Sequence, residues 1–201
     1  MQYLKDEIKN SIISAALDEF EKKGFNDASI RIIARSAGIA AGNLYRYFNS
    51  KEELFNYIME PVSERFTALI FSDFKADANN VPVLADVMDK IMSFYDKDSR
   101  EFMILLDKSE GSVYQNLKEN LISLIEKRMK EELKPKLKAE GIVIADEFIF
   151  HVLASMLVEG VLRILKQDKE DGRRIRKLIS QMLALNLNYL EIMKKDPVFR
   201  Q

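Results

Sequence analysis

Ser29-Ile30-Arg31-Ile32-Ile33-Ala34-Arg35-Ser36-Ala37-Gly38-Ile39-Ala40-Ala41-Gly42-Asn43-Leu44-Tyr45-Arg46-Tyr47-Phe48-Asn49-Ser50-Lys51-Glu52-Glu53 sets two short helical patterns on either side of one glycine-bearing turn. Ile30, Ile33, Ala34 and Ala37 recur at three- and four-residue steps, the period of a helix with one buried face. Ser29 stands where its hydroxyl can accept from the free N–H groups of the first turn. Gly38 closes the pattern, because a residue without a β-carbon takes positive φ cheaply and lets the chain reverse within a few residues. A second short helix is predicted over 40–48, with Leu44 and Phe48 four apart and facing inward. Ser50-Lys51-Glu52-Glu53 then reads as a capping box that opens another helix.

Two short helices joined by Ala37-Gly38-Ile39 form the arrangement that lays its second helix in a DNA major groove. The chemistry of that helix agrees, since Asn43, Tyr45, Arg46 and Tyr47 crowd its outer side. Asn bridges adenine edges, Arg forks onto guanine or phosphate, and Tyr offers a hydroxyl to phosphate and a flat face to a thymine methyl. Gly42 leaves room for close backbone approach. A cation at the first turn of a helix opposes the helix dipole, so Lys51 is read as a clamp for phosphate together with the free N–H groups there.

Outward from this core, Ile8, Ile12, Ala16 and Phe20 give a first helix over about 5–23 that stops at Gly24. The helix opened by Ser50 is expected to continue, kinked, through Pro61 toward Lys75. A loop is expected over 76–81, then a helix from Pro82 to about Asp96, two more over 99–108 and 113–139, the second interrupted or ended by Pro135. Two long helices close the chain over 146–166 and 172–194, joined by Gln167-Asp168-Lys169-Glu170-Asp171. Nothing shows the alternation of strands, so the fold class is all-α: an N-terminal three-helix helix-turn-helix domain, 1–50, and a helical body for effector binding and dimerisation, 51–201.

The 201 residues hold no Cys, which removes disulfides and thiolate chemistry and suits a reducing compartment; a cytoplasmic location is expected. No export signal is read at the N-terminus, and the apolar run from Phe148 to Leu165 is broken by His151, Ser155, Glu159 and Arg163, so no membrane partner is expected. The net charge of −1 does not suggest nucleic acid. The charge is local instead: from Ala28 to Lys51 the ionic residues are Arg31, Arg35, Arg46 and Lys51, with no acid among them.

The order and spacing of Ser29-Ile30-Arg31, Ile33-Ala34, Ala37-Gly38-Ile39 and Gly42 through Leu54 resemble the TetR family of transcription regulators, over residues 5 to 60 or so. The resemblance implies a homodimer with one DNA-binding head per subunit and a helical body that binds a small-molecule effector. Carried over position by position, it implies that Ser29, Gly42, Tyr45, Tyr47 and Lys51 meet the DNA backbone or groove floor and that Asn43 and Arg46 are variable contacts. Arg31 and Ala41 complete the expected set. Ala40 and Ala41 depart from the family's habit of a serine and a polar or basic residue, which removes a cap worth about 1 kcal/mol from the recognition helix.

The body is read from weaker patterns. Glu147, His151, Ser155, Glu159 and Arg163 form one polar stripe on an otherwise apolar helix, which predicts packing on a partner as well as on its own core. Met156, Gly160, Leu178, Met182, Leu185 and Tyr189 are the expected dimer residues, in keeping with the four-helix interface that the resemblance implies. Phe94, Phe102, Met103, Leu106, Tyr114, Phe150 and His151 are the candidate effector contacts, although aromatics and Met at helical spacing commonly fill cores. A lone His with Glu147 cannot complete a metal site, and neither metal nor cofactor is expected. With one His, no nucleophile elbow and no phosphate loop, no catalytic residue is assigned. The expectation is therefore a dimeric repressor released from a palindromic operator in double-stranded DNA by an effector. A ligand-free DNA-binding dimer and, more remotely, a helical enzyme are the alternatives.

Overall fold

The computed structural model describes residues 2–71, 81–167 and 172–193. Among them are nine α-helices: α1 Gln2–Asp27, α2 Ile30–Ser36, α3 Ala41–Leu44, α4 Lys51–Phe71, α5 Val81–Asp107, α6 Leu117–Arg128, α7 Lys134–Ala139, α8 Phe148–Gln167 and α9 Gly172–Met193. A π-helical turn, Met129–Leu133, joins α6 to α7. Two compact units divide these residues: 2–71 with 93–117, and 81–92 with 118–167 and 172–193. That division differs from a cut at residue 50, because α4 and the end of α5 pack with the first three helices.

In the first unit, Ile12, Ala16 and Phe20 of α1 are buried, as their spacing predicts. Phe20 and Phe55 meet edge to face with ring centroids 4.8 Å apart, and Phe25 lies 4.8 Å from Phe55, so α1 and α4 share one aromatic core. Gly24 does not end α1 as expected. It breaks the helical backbone with φ 76 and ψ 168, and one further turn runs to Asp27. The kink turns the Phe25 N–H onto the carbonyl of Lys108 at 2.7 Å, which satisfies a group that the break in α1 frees.

The expected helix over 40–48 is also shorter in the structure, ending at Leu44. Beyond it the Tyr47 N–H donates to the Leu44 carbonyl at 2.9 Å and the Arg46 N–H to that of Asn43 at 3.1 Å, three-residue bonds that tighten the helix into turns. Leu44 and Phe48 stay buried in spite of this, so the polar side keeps its orientation.

Helix α4 runs unbroken through Pro61, whose ring is exposed. Its second half brings Phe66 against Phe94 and Phe102 at 5.5 and 4.9 Å. The two helices expected over 82–96 and 99–108 are one element, α5, with a non-helical residue at Asp98 where the break was predicted. Asp98 is buried, and its carboxylate accepts from Arg65 Nη2 at 2.6 Å and Nε at 3.1 Å. Residues 113–116 form turns instead of opening a helix, and Pro135 lies in the first turn of α7, where its missing N–H costs nothing.

In the second unit, Phe150, Ala154, Val158, Leu162 and Leu165 are the buried line of α8, and Ile175 and Ile179 that of α9. By length and composition α8 could cross a membrane. Its buried line, and the Glu159 carboxylate accepting from Lys118 Nζ at 2.7 Å, instead tie it into a helical core. Gly160 lets the two helices close: a β-carbon there would stand 2.6 Å from Met182 Sδ. The expected loop residues 76–80, the connector residues 168–171 and the side chain of Tyr189 lie outside the described residues.

Candidate nucleic-acid interface

Helices α2 and α3 stand on the α1–α4 core with one side outward. Ile33 and Ala34 are buried on the inner side of α2, while Arg31, Ile32 and Arg35 are exposed on the outer side. Across the turn, where Gly38 has φ 73, Gly42, Tyr45 and Arg46 are exposed and Ala41, Asn43 and Tyr47 are half-buried. Tyr45 shows 51% of its surface. The structure therefore brings Arg31, Ala41, Gly42, Asn43, Tyr45, Arg46 and Tyr47 into one short segment whose cations are unmatched by any acid between residues 28 and 51.

Two expected contacts are placed differently. The Ser29 hydroxyl makes no capping bond to α2, a correction to its expected local role. Its backbone N–H donates instead to Glu19 Oε1 at 3.2 Å, so a carboxylate from α1 takes the place beside the start of α2. Lys51 turns inward: its ammonium donates to the carbonyl oxygens of Asn26 at 2.8 Å and Ala28 at 3.3 Å, and lies 4.8 Å from the centroid of the Phe25 ring. The cation that is unfavourable at the start of α4 is favourable at the end of α1, where carbonyls lack helical partners.

The start of α4 is capped nearly as the sequence predicts. The Ser50 hydroxyl accepts from the Glu53 N–H at 3.1 Å, but Glu53 reaches one residue further back, accepting from the Asn49 N–H at 2.9 Å and its amide at 2.7 Å. Glu52, held by its own backbone N–H and by Ser50, has a carboxyl below its ordinary pKa, which keeps the first turn anionic.

Sequence reasoning missed Glu19. Its signal was present, because counting in helical steps from Ile8 and Ile12 through Ala15 lands on position 19, where an acid replaces the expected apolar residue. It missed also the aromatic prop of the head: Phe48 and Tyr57 pack with centroids 5.4 Å apart, and Lys9 Nζ lies 4.0 Å from the Tyr57 ring centroid.

The candidate effector contacts are scattered. Phe94 and Phe102 interlock at 4.8 Å in the buried core, Leu106 is buried and Met103 half-buried. Tyr114 lines an open cleft of about 560 Å³ with Glu60, Ser63, Glu64, Thr67 and Ala68; burial, and then Glu60 and Glu64, push its phenol up. Phe150 and His151 belong to the other unit, where Phe150 is buried and His151 Nδ1 lies 3.0 Å from Glu126 Oε2. Of the expected dimer residues, Met156 and Leu185 are exposed at 57% and 70%, Leu178 is half-buried, and Gly160 faces Met182 of the same chain. Among the described residues no group of three or more His, Asp or Glu side chains is placed to hold a metal ion.

Comparison with known proteins places this geometry. Residues 12–58 match the model of the bacterial regulatory proteins of the tetR family. The chain is 25% identical over 191 residues to the transcriptional regulator BetI of Vibrio campbellii, covering 92% of this chain and 95% of that one. It is 30% identical over 82 residues to a fatty acid metabolism regulator of Bacillus subtilis, covering 41% and 42% of the two chains. Among solved structures, a TetR-like transcriptional regulator from Rhodococcus aligns with a TM-score of 0.58 at 21% identity, over 90% of this chain and 96% of that one. NalD, the secondary repressor of the MexAB-OprM multidrug efflux pump in Pseudomonas aeruginosa, aligns with a TM-score of 0.52 at 20% identity, over 90% and 95%. These structural likenesses concern the fold; the matched head makes residues 12–58 a helix-turn-helix domain of the tetR family, and the relative matched over nearly the full length of both chains is a helix-turn-helix transcriptional regulator.

Proposed function

We propose that this protein is a cytoplasmic homodimeric repressor that occupies a palindromic DNA operator and leaves it when a small-molecule effector binds its helical body. One observation carries the DNA half of this reading: the outer side of the α2–α3 segment exposes Arg31, Arg35, Tyr45 and Arg46 with no acid between residues 28 and 51. Arg46 and Asn43 are assigned to base edges, and Arg31, Tyr45 and Tyr47 to the sugar-phosphate backbone. Ala41 and Gly42 admit that backbone closely, and Ser29 keeps a free hydroxyl for it. Lys51 retains one ammonium hydrogen beyond the two given to Asn26 and Ala28. Residues 1–50 act as the reader and 51–201 as the sensor and dimerisation body.

Dimerisation is supported by the exposed Met156 and Leu185, apolar side chains on the outer sides of α8 and α9. The repressor reading draws on NalD, a repressor of the same fold. A fluorescence titration with duplex DNA tests it: affinity should fall linearly on logarithmic axes as salt rises, with a slope of about −0.9 per phosphate neutralised. A flat salt response would contradict the assigned contacts. For the effector, a metabolite panel should contain a compound that raises Tm by mass action and releases the DNA. One observation favours a second reading, a DNA-binding dimer governed without a small ligand: Phe66, Phe94 and Phe102 pack ring against ring as buried core.

A further inference from the structure

The peptide unit between Ala28 and Ser29, which delivers the chain into α2, is held from both of its polar ends. Its N–H donates to Glu19 Oε1 at 3.2 Å and its carbonyl accepts from Lys51 Nζ at 3.3 Å. Glu19 comes from the middle of α1 and Lys51 from the first residue of α4, so the two helices of the core meet at one peptide of the reading segment. Glu19 is only 7% exposed and Ala28 likewise 7%. A carboxylate so placed costs desolvation, and among the described residues its one hydrogen bond is to that N–H. Cap chemistry explains why the carboxylate is there: the Ser29 hydroxyl does not cap α2, and its N–H needs an acceptor. The second ammonium contact, to the Asn26 carbonyl, and the Phe25 ring below fix Lys51 on the same connection.

We propose that Glu19 and Lys51 are positioning residues which grip the Ala28–Ser29 peptide from opposite sides and so set the angle at which α2 and α3 meet DNA. The proposal rests on the DNA-binding reading above. The sign of the Glu19 effect distinguishes this role from bulk electrostatics. A buried anion in a DNA-binding head repels phosphate, so removing it by field effects alone would tighten binding, most at low salt. Loss of positioning weakens binding instead.

The test uses the full chain, a duplex bearing whatever sequence the wild-type protein enriches from a random library, and a scrambled duplex of equal length. Glu19→Leu should weaken binding to the enriched duplex about tenfold, the equivalent of one charge-assisted hydrogen bond, with binding to the scrambled duplex and the salt slope unchanged. Glu19→Gln, which keeps an oxygen acceptor, should recover most of that affinity and keeps the test readable if the leucine variant folds poorly. Glu19→Leu and Lys51→Met combined should cost less than the sum of the two, since both act through one peptide. In the leucine variant the Ser29 amide should also exchange with solvent faster while those of Ile33 and Ala37 keep their protection. Unchanged or tighter binding of Glu19→Leu to the enriched duplex, or additive effects in the double variant, would overturn the proposal and leave the function standing. A wild-type protein that enriched no sequence would overturn the function itself.

Discussion

Ser29 and Ser50 are the same residue type at the same place, one residue ahead of a helix, and the structure uses them differently. Only the Ser50 hydroxyl accepts a bond, from the Glu53 N–H. Ser50→Ala should therefore cost about 1 kcal/mol in a urea titration, within the usual range for a lost cap, whereas Ser29→Ala should leave stability nearly unchanged. Equal losses would mean that the local cap at Ser29 operates after all. At the same scale, Asn43→Ala and Arg46→Ala should each relax preference at particular base pairs of the selected operator, by about 1–3 kcal/mol per bidentate contact. Identical sequence preference in the variants would remove these side chains from base readout. The outward set at 42–47 was legible in the sequence because short-range periodicity alone decides which side of so short a segment is buried. The inward turn of Lys51 was not legible, since its partners Asn26 and Ala28 lie more than twenty residues back and become near only once α1 and α4 have packed.

At the scale of elements, the ends of helices were harder to read than their existence, and each difference has a local cause. Gly24 stops helical backbone but not the chain's progress, because the Lys108 carbonyl takes the Phe25 N–H. A side chain at Gly24 would have to hold φ near 76, and a β-carbon there would lie 3.4 Å from that same carbonyl oxygen. Gly24→Ala should destabilise the protein by about 1–2 kcal/mol, measured as a lowered midpoint in urea with unchanged slope. At the end of α3, beyond Leu44, three-residue hydrogen bonds from Arg46 and Tyr47 replace the helical ones. The junction of α6, α7 and α8 is electrostatic. Lys130, then His151, holds the Glu126 carboxyl below its ordinary value, and Lys134, then Lys130, does the same for Glu147. Carboxyls depressed in the folded state add stability above their unfolded pKa, about 4, and lose it as pH falls through the lower folded values. Unfolding midpoints should thus drop on acidification below about pH 4, and Glu126→Gln with Glu147→Gln should flatten that limb. A limb as steep in the double variant as in the wild type would show that other groups govern it.

At the scale of the whole molecule, the apolar side chains left uncovered on α8 and α9, Met156 and Leu185 among them, are the surface assigned to the proposed dimer. Leu185, 70% exposed, is the most open of them among the described residues. Leu185→Arg should shift the protein to monomer in sedimentation and abolish tight operator binding, while the head keeps its salt-dependent hold on any duplex. A variant that stayed dimeric would place the interface elsewhere. Gly160, by contrast, packs on Met182 within the chain, so Gly160→Leu should cost about 1–3 kcal/mol of stability through overpacking. The effector site was the least legible feature, because a buried phenylalanine that fills a core and one that lines a cavity share the same periodicity, and the mutual packing of Phe94 and Phe102 fits either. On the reading proposed above, the exposed α2–α3 segment reads DNA as one half of a symmetric pair. Selection of duplexes from a random library by the purified full-length protein should enrich an inverted repeat whose half-sites are centred about one helical turn apart, roughly 10 base pairs. Enrichment of no sequence, or of one that Arg46→Ala and Asn43→Ala select unchanged, would contradict it.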